Sequence, residues 1–380
     1  MNDTKQRILF VFGTRPEAIK LAPVILHGLD RRMEFDVRVC VTGQHRQMLD
    51  QVLELFGIKP DVDLNLMQPG QDLFDLTSRV LLAMRSVLRE IRPVWIVVQG
   101  DTTTVWTAAL AAFYEGVKVA HVEAGLRTFD KRQPFPEEIN RRLCTQLADL
   151  HLAPTAQAKA NLIAERIDEA DVVVTGNSVI DALLWVCARM KQTSIPDVLA
   201  VEEWAGKTIG TSPMVLITGH RRESFGKGFE EICAAIAELA RAFPNYQWVY
   251  PVHLNPNVQE PVNRSLRGIG NIHLTEPKTY PAFAWLMQRA ALILTDSGGV
   301  QEEAPSLGKR VLVMRNTTER PEGVDAGCIM LVGNSREGIV KAVRAHLGNP
   351  QDLQVDPGRN PYGDGRASQR ILDAMAQRSR

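Results

Sequence analysis

The sequence predicts an α/β protein built from two doubly wound, Rossmann-like domains. The chain has 380 residues, more than one growing core usually holds, so two domains are expected. Short β-branched runs alternate with helical patterns along almost the whole chain, which indicates parallel sheets covered on both faces. The second half also repeats the first: ILFVFGTRPE (8–17) resembles VLITGHRRE (215–223), and WIVVQGDTTT (95–104) resembles LILTDSGGVQ (292–301).

The elements follow in order along each half. In the first half, strands are predicted at 7–12, 35–41, 93–98, 117–122 and 171–175, with helices over 46–56, 72–91 and 103–115. In the second half, strands are predicted at 214–218, 246–250, 271–274, 291–295 and 310–314. Pro, Gly and Ser interrupt the pattern at 191–212, where we place a linker between domains 1–190 and 213–360. We expect 361–380 to form a C-terminal helix that packs back toward the first domain.

Composition argues against several classes of protein. Lys plus Arg and Asp plus Glu both total 44, so no net basic charge favours nucleic acid or membrane surfaces as partners. The first apolar stretch ends at Phe12, too short for a signal peptide, and no apolar run reaches the length of a membrane span. The five cysteines are scattered without a CxxC pair, so neither disulfides nor a zinc site is expected. We therefore expect a cytoplasmic protein.

A phosphate-binding loop is predicted after the strand at 291–295. Ser297, Gly298 and Gly299 form a turn before a helix, where free backbone N–H groups can bind an anion. Glu303, about one turn later, could accept both hydroxyls of a ribose. The alternative is an ordinary tight turn with acidic residues that favour the helix dipole.

Cationic side chains follow other strands in the same way. Arginine suits phosphate oxygens, and several arginine-bearing loops after strands favour a diphosphate ligand. These residues are Arg15 and Lys20 in GTRPEAIK, His220 and Arg221 in TGHRRE, and Arg315 and Arg320 in RNTTERPE.

Candidate acid–base groups lie in the first half. Asp101 and Glu123 each follow a predicted strand, and Glu137 and Glu138 stand at a helix start. Asp101 could instead cap a helix, and Glu137 and Glu138 could simply complement a helix dipole. No G-x-G-x-x-G, Walker A or H-E-x-x-H motif is present, so neither a nicotinamide cofactor nor a metal is expected.

Taken together, the motifs resemble those of the bacterial non-hydrolysing UDP-N-acetylglucosamine 2-epimerases. The matching segments, in family order over about residues 8 to 375, are FGTRPEAIKLAP, GQHRQMLDQVL, GDTTT, HVEAGLRT, PEEINRR, TGHRRESFG, PVHLNPNV, TDSGGVQEEAPSLGK and RNTTERPEG. The resemblance implies a GT-B type fold, with two Rossmann-like domains facing across a cleft, and no cofactor. It also implies a cytoplasmic homodimer that supplies polysaccharide biosynthesis.

The resemblance assigns roles by position. It implies that Asp101, Glu123, Glu137 and His220 are catalytic. It implies that the substrate is bound by Arg15, Lys20, Phe283, Ser297, Gly298, Gly299, Glu303 and Arg320. Lys278 departs from the family, which has glutamine near the uracil, so a side-chain contact to the base is in doubt. A second UDP-N-acetylglucosamine, bound as an activator, would contact Gln44, Gln47, Arg221 and His253.

The implied reaction is reversible C2 epimerisation of UDP-N-acetylglucosamine to UDP-N-acetylmannosamine. It proceeds by elimination of UDP to 2-acetamidoglucal and re-addition. The alternatives are a hydrolysing 2-epimerase that releases N-acetylmannosamine and UDP, a GT-B glycosyltransferase, and a catalytically silent nucleotide-sugar sensor.

Overall fold

The computed structural model describes residues 5–43, 46–68, 70–221 and 224–378, which divide into two compact units. Unit 1 runs to Ala182 and includes the C-terminal residues from Tyr362, and unit 2 is Leu183–Pro361. No helix in the described ranges is long and apolar enough to cross a membrane. The prediction of two doubly wound α/β domains is confirmed by the sheets described below.

Unit 1 contains a parallel sheet of seven strands among the described residues, in the order β3-β2-β1-β4-β5-β6-β7. The strands are β1 Gln6–Phe12, β2 Phe35–Val41, β3 Val62–Asp63, β4 Trp95–Gln99, β5 Lys118–Val122, β6 Leu150–Ala153 and β7 Val172–Val174. The helices are α1 Arg15–Asp30, α2 Arg46–Phe56, α3 Leu73–Ile91, α4 Thr103–Tyr114, α5 Glu137–Leu147, α6 Ala156–Ala164 and α7 Ser178–Gln192, of which α7 continues into unit 2. The predicted strands and helices are all found, while the short β3 and β6 were missed.

Unit 2 repeats this topology in a parallel sheet of six described strands, in the order β10-β9-β8-β11-β12-β13. The strands are β8 Met214–Thr218, β9 Gln247–Pro251, β10 Ile272–Thr275, β11 Leu292–Thr295, β12 Val311–Val313 and β13 Ile329–Leu331. The helices are α8 Pro196–Thr208, α9 Lys227–Ala242, α10 Pro256–Leu266, α11 Tyr280–Arg289, α12 Gly298–Glu303, α13 Pro321–Asp325 and α14 Arg336–Gly348. Only β13 was missed among its strands.

The echo between the halves has a structural explanation. Strand β1 pairs with β4, and β8 pairs with β11, at the point in each sheet where the strand order reverses. The echoing segments occupy these equivalent central positions. Apolar side chains from these central strands are buried in the hydrophobic cores: Leu9 and Ile96 in unit 1, and Val215 and Leu294 in unit 2. Each such side chain stabilises its unit by about 1.5–3 kcal/mol on burial.

The chain division differs from the one expected. It falls between Ala182 and Leu183, inside α7, and most of the expected linker 191–212 is helix α8 of unit 2. Pro196 stands in the first turn of α8, where proline is well tolerated because its missing N–H has no helical partner there. The C-terminal segment forms α15 (Ala367–Gln377), which packs against α1.

Candidate active site

The predicted site residues follow the strands at the two reversal points. Loops after β1 and β4 carry Arg15 and Asp101, and loops after β8 and β11 carry His220 and Ser297. Ligands of doubly wound sheets bind outside the carboxyl ends of such strands, where the two flanking loops diverge. In each unit the topology therefore collects the polar loops at one edge of the sheet.

Glu123 is a buried carboxylate of unit 1 that is held by several side chains. It follows β5 in a left-handed conformation (φ 65°), and its side chain is buried. Oε1 accepts hydrogen bonds from Lys20 Nζ at 2.5 Å and Asn177 Nδ2 at 3.0 Å, and Oε2 accepts one from Gln99 Nε2. These donors come from α1, β4 and the loop after β7, so three separate segments fix this one group.

Asp101 lies in the turn between β4 and α4. Its Oδ2 accepts a hydrogen bond from Arg141 Nη2 at 2.5 Å, and its backbone carbonyl accepts one from Asn140 Nδ2 at 2.9 Å. The N-cap of α4 is Thr102, so Asp101 does not cap that helix. Its carboxylate is held by α5 instead and remains partly exposed.

The two adjacent glutamates at the start of α5 have different environments. Glu138 is fully buried, and its oxygens accept the backbone N–H groups of Thr128 and Phe129 at 3.1 and 3.2 Å, so it holds the loop after β5. Glu137 is half-buried, and its Oε2 is enclosed without a hydrogen-bond partner among the described residues. A buried polar atom without a partner is costly, and this unsatisfied oxygen distinguishes Glu137 from its neighbour Glu138.

The turn between β1 and α1 is held by a buried glutamate, Glu17, which was not predicted as a site residue. Glu17 Oε2 accepts the backbone N–H groups of Gly13 and Thr14 at 2.9 and 2.7 Å, and Oε1 accepts Thr102 Oγ1–H at 2.6 Å. Burial raises the pKa of Glu17, and these hydrogen bonds oppose that shift. Gly13 is required here, because a Cβ on it would lie 2.1 Å from Thr42 Oγ1.

Arg15 begins α1 directly after this turn. Within the described chain its guanidinium has neither an ion pair nor a hydrogen bond, although it is half-buried, and burial lowers its pKa. An unpaired, partly desolvated guanidinium is suited to bidentate binding of a phosphate or carboxylate.

A buried aspartate holds the corresponding turn of unit 2. Asp296, after β11, accepts the backbone N–H groups of His220 and Arg221 at 2.7 and 2.8 Å through Oδ2. Its Oδ1 lies 3.5 Å from His220 Nδ1, and the imidazole ring stacks on His253 with centroids 5.3 Å apart. Asp296 thus fixes the backbone at His220 through Oδ2, and its second carboxylate oxygen lies beside the imidazole ring.

Arg320 approaches the glycine turn after β11. Its Nε donates to Glu302 Oε1 at 2.7 Å. A Cβ on Gly298 would lie 2.5 Å from Arg320 Nη1, so a larger residue here would require the guanidinium to move from its place against this turn. The Ser297 N–H is directed to Thr295 Oγ1 at 2.9 Å.

A compact ion network supports this arginine. Arg315 donates to both oxygens of Glu319, at 2.9 and 3.3 Å, and Arg320 Nη1 lies 3.5 Å from Glu319 Oε2. Burial acts to raise the pKa of Glu319, but Arg315 together with the other arginines lowers it to about 2. Arg315 is therefore neutralised within the chain, unlike Arg15.

Glu303 is buried near the end of α12. Its Oε1 accepts the hydroxyl of Tyr280 at 2.5 Å, and burial, reinforced by the Glu303 charge, raises the pKa of Tyr280 well above its usual value. Lys278 and Phe283 flank Tyr280 at the start of α11, and both are half-buried.

The structure thus brings Lys20 and Glu123 into direct contact, and His220 together with His253. Gln44 and the side chain of Gln47 lie outside the described residues. Six supporting groups were not predicted: Glu17, Gln99, Arg141, Asn177, Tyr280 and Asp296. All except Asn177 lie within three positions of a predicted site residue, and this proximity along the chain was the only available signal.

Comparison with known proteins gives a consistent result. The family model for UDP-N-acetylglucosamine 2-epimerase matches residues 27–376. Relatives of that name from Yersinia pestis and Escherichia coli K12 are 56% and 53% identical, each match covering 97% of this chain and 98% of the relative.

Solved structures of proteins with the same name also match this chain. The UDP-GlcNAc 2-epimerase of Neisseria meningitidis bound to UDP-GlcNAc matches with a TM-score of 0.91 at 46% identity, covering 98% of this chain and 100% of that chain. The Methanocaldococcus jannaschii enzyme in complex with UDP-GlcNAc and UDP matches with a TM-score of 0.82 at 33% identity, with the same coverage. The resemblance seen in the motifs is confirmed, and this chain belongs to the UDP-N-acetylglucosamine 2-epimerase family.

Proposed function

We propose that this protein interconverts UDP-N-acetylglucosamine and UDP-N-acetylmannosamine without hydrolysing them. The observation that carries the proposal is the set of three carboxylates, Asp101, Glu123 and Glu137, in the unit that also holds the unpaired Arg15. The names of relatives that match nearly the whole chain support the same substrate.

The structure of the sugar limits the ways in which its C2 centre can be inverted. Its C2 hydrogen is not adjacent to a carbonyl, so direct deprotonation is unfavourable. In the proposed route the C1–O bond breaks and its electron pair leaves with UDP. A carboxylate then takes the C2 proton, and 2-acetamidoglucal forms. Protonation of C2 from the opposite face and return of a UDP oxygen to C1 give the epimer.

Two different carboxyl groups are needed for this sequence, because the proton leaves one face and arrives at the other. Glu123, Asp101 and Glu137 supply these candidates, and their different partners suit different tasks. Lys20 compensates the charge of Glu123, Arg141 that of Asp101, and Glu137 keeps an oxygen for the substrate.

The leaving diphosphate needs donors placed where negative charge develops. We assign this task to the Ser297–Gly299 turn, with Arg320 packed against it, and to His220, fixed by Asp296. Glu303, oriented by Tyr280, is proposed to bind the ribose, and the uracil is proposed to meet Phe283 on α11 and Lys278 just before that helix. We further propose a cytoplasmic homodimer that supplies polysaccharide biosynthesis, with UDP-N-acetylglucosamine as an activator near Arg221 and His253.

An NMR time course in deuterated water tests the reaction. UDP-N-acetylglucosamine alone should give UDP-N-acetylmannosamine with deuterium at C2. Retention of the original hydrogen in the product contradicts elimination. Free N-acetylmannosamine and UDP as the main products identify a hydrolysing enzyme, and an unchanged C2 is expected of a glycosyltransferase.

Variants of the carboxylates test their assignment. Asp101→Asn and Glu123→Gln should each lower turnover by at least about 100-fold while binding of UDP is retained, since neither group is assigned to the diphosphate. Wild-type turnover in both variants contradicts the assignment.

A further inference from the structure

A buried histidine contacts the turn that carries Asp101. His121 is fully buried in β5, and its Nε2 lies 2.7 Å from the carbonyl oxygen of Gly100. A carbonyl oxygen can only accept, so Nε2 carries the proton and donates it. Nδ1 is consequently unprotonated, and it is enclosed without a hydrogen-bond partner in the described part of the chain.

His121 is uncharged under working conditions. Burial lowers its pKa to about 3, and the Gly100 hydrogen bond only partly opposes this. A side chain that is enclosed in the sheet and neutral is poorly suited to exchange protons with a substrate. Its available contribution is the hydrogen bond to Gly100.

The hydrogen bond from His121 to Gly100 holds one end of the short turn between β4 and α4. Gly100 has a left-handed backbone (φ 79°), and its N–H donates to Val122 O at 3.0 Å. The next carbonyl, that of Asp101, is held by Asn140 Nδ2 at 2.9 Å. Among the described residues, His121 supplies the only hydrogen bond found to the Gly100 carbonyl, so its loss would remove the contact that fixes the orientation of the peptide between Gly100 and Asp101.

The turn also lies against Glu123. A Cβ added to Gly100 would be in ordinary van der Waals contact with Glu123 Oε2, at 3.6 Å, so the turn that carries Asp101 lies close to the Glu123 carboxylate. His121 is in turn only two residues before Glu123 on the same chain segment.

We propose that His121 is a positioning residue, whose neutral Nε2–H sets the orientation of Asp101 relative to Glu123 through the Gly100 carbonyl. The proposal rests on the catalytic role proposed for Asp101. Misplacement of a reacting group by about 1 Å can lower a rate by roughly 100-fold, so the effect should appear in kcat.

Two polar substitutions separate the hydrogen bond from simple packing. Glutamine places its N–H₂ near the ε position of imidazole, whereas asparagine places it near the δ position and cannot reach Gly100. We expect His121→Asn to lower kcat by about 10- to 100-fold with KM nearly unchanged, and His121→Gln to recover most of that loss.

His151 provides a matched control. It is the cross-strand neighbour of His121 on β6, equally buried, with its own Nδ1 unpartnered among the described residues. His151→Asn removes a buried imidazole but not the Gly100 bond, so its kcat should stay within about threefold of wild type. Equal losses in His121→Asn and His151→Asn overturn the proposal, as does equal activity of His121→Gln and His121→Asn.

A double-variant cycle distinguishes this proposal from the proposed function. If His121 acts through Asp101, His121→Asn should lower the small residual rate of Asp101→Asn no further. An additional 10-fold loss in that background overturns the positioning role. Wild-type turnover of Asp101→Asn instead refutes the role of Asp101 itself, and with it the proposed function of this site.

Discussion

Replacing Lys20 with methionine tests how much the enclosed ion pair with Glu123 stabilises unit 1. The two side chains are only 14% and 6% exposed, and Nζ and Oε1 are 2.5 Å apart. Methionine keeps most of the aliphatic length of lysine but removes the charge. The Glu123 carboxylate then stays buried without the lysine charge, although the amides of Gln99 and Asn177 still donate hydrogen bonds to it.

The size of the effect follows from two opposing quantities. At 2.5 Å and an effective dielectric constant of about 20, the attraction is about 7 kcal/mol. Desolvation of both ions offsets much of it, and loss of one partner from a buried pair typically costs about 3–5 kcal/mol. Unit 1 has roughly 200 residues, so a loss of about 3 kcal/mol should lower its Tm by about 6–12 °C.

Thermal unfolding followed by circular dichroism measures this shift, and the chain offers a matched control. Lys207 and Glu203 are also 2.5 Å apart, but their side chains are 74% and 68% exposed. Lys207→Met should change Tm by less than about 2 °C. The variant with both Lys20→Met and Glu123→Gln should regain most of the loss, because no unpaired charge remains buried. Equal shifts in Lys20→Met and Lys207→Met, or no recovery in the double variant, would refute the reasoning.

Two further predictions concern unit 2. Gly298→Ala should raise the KM for the nucleotide sugar by about 10-fold or more, because its Cβ would lie 2.5 Å from Arg320 Nη1, whereas Gly206→Ala in α8, where a Cβ meets nothing within 4 Å, should leave steady-state kinetics nearly unchanged. Glu319→Gln should destabilise the protein by about 3 kcal/mol at neutral pH, since the folded-state pKa of Glu319 is lowered to about 2. A lowered pKa contributes stability above the unfolded value near 4.5 and loses it as pH falls toward 2, so the Tm difference from wild type should shrink over that range; a constant difference would contradict this.

Much of the fold could be predicted from the sequence, because buried parallel strands leave an unmistakable pattern of continuous apolar runs. The elements that were missed are short or carry polar residues. β3 has two residues, and β6, LHLA, contains a histidine that reads as polar until it is seen buried between neighbouring strands. The prediction of a linker at 191–212 was wrong for a related reason. Pro196 suggests a break in secondary structure, but it is the first residue of helix α8.

The positions of the site residues along the chain could be predicted from the sequence, but the contacts between their side chains could not. Asp101 and Glu123 could be selected because each follows a strand, and chain topology then determines where they lie. Their partners could not, since Lys20 and Glu123 are separated by 103 positions and Asp101 and Arg141 by 40. The sequence also does not distinguish the adjacent Glu137 and Glu138. In the structure Glu138 accepts backbone N–H groups, whereas one oxygen of Glu137 has no partner among the described residues.

The return of the chain to unit 1 has a consequence for how the protein is made. Asp181 accepts the backbone N–H groups of Ala367 and Ser368 at 3.1 and 2.7 Å, and Ile371 and Leu372 are fully buried in α15. During translation these residues leave the ribosome after all of unit 2. The interior of unit 1, whose synthesis begins first, is therefore closed only after unit 2 has been made, while unit 2 can complete its own fold earlier.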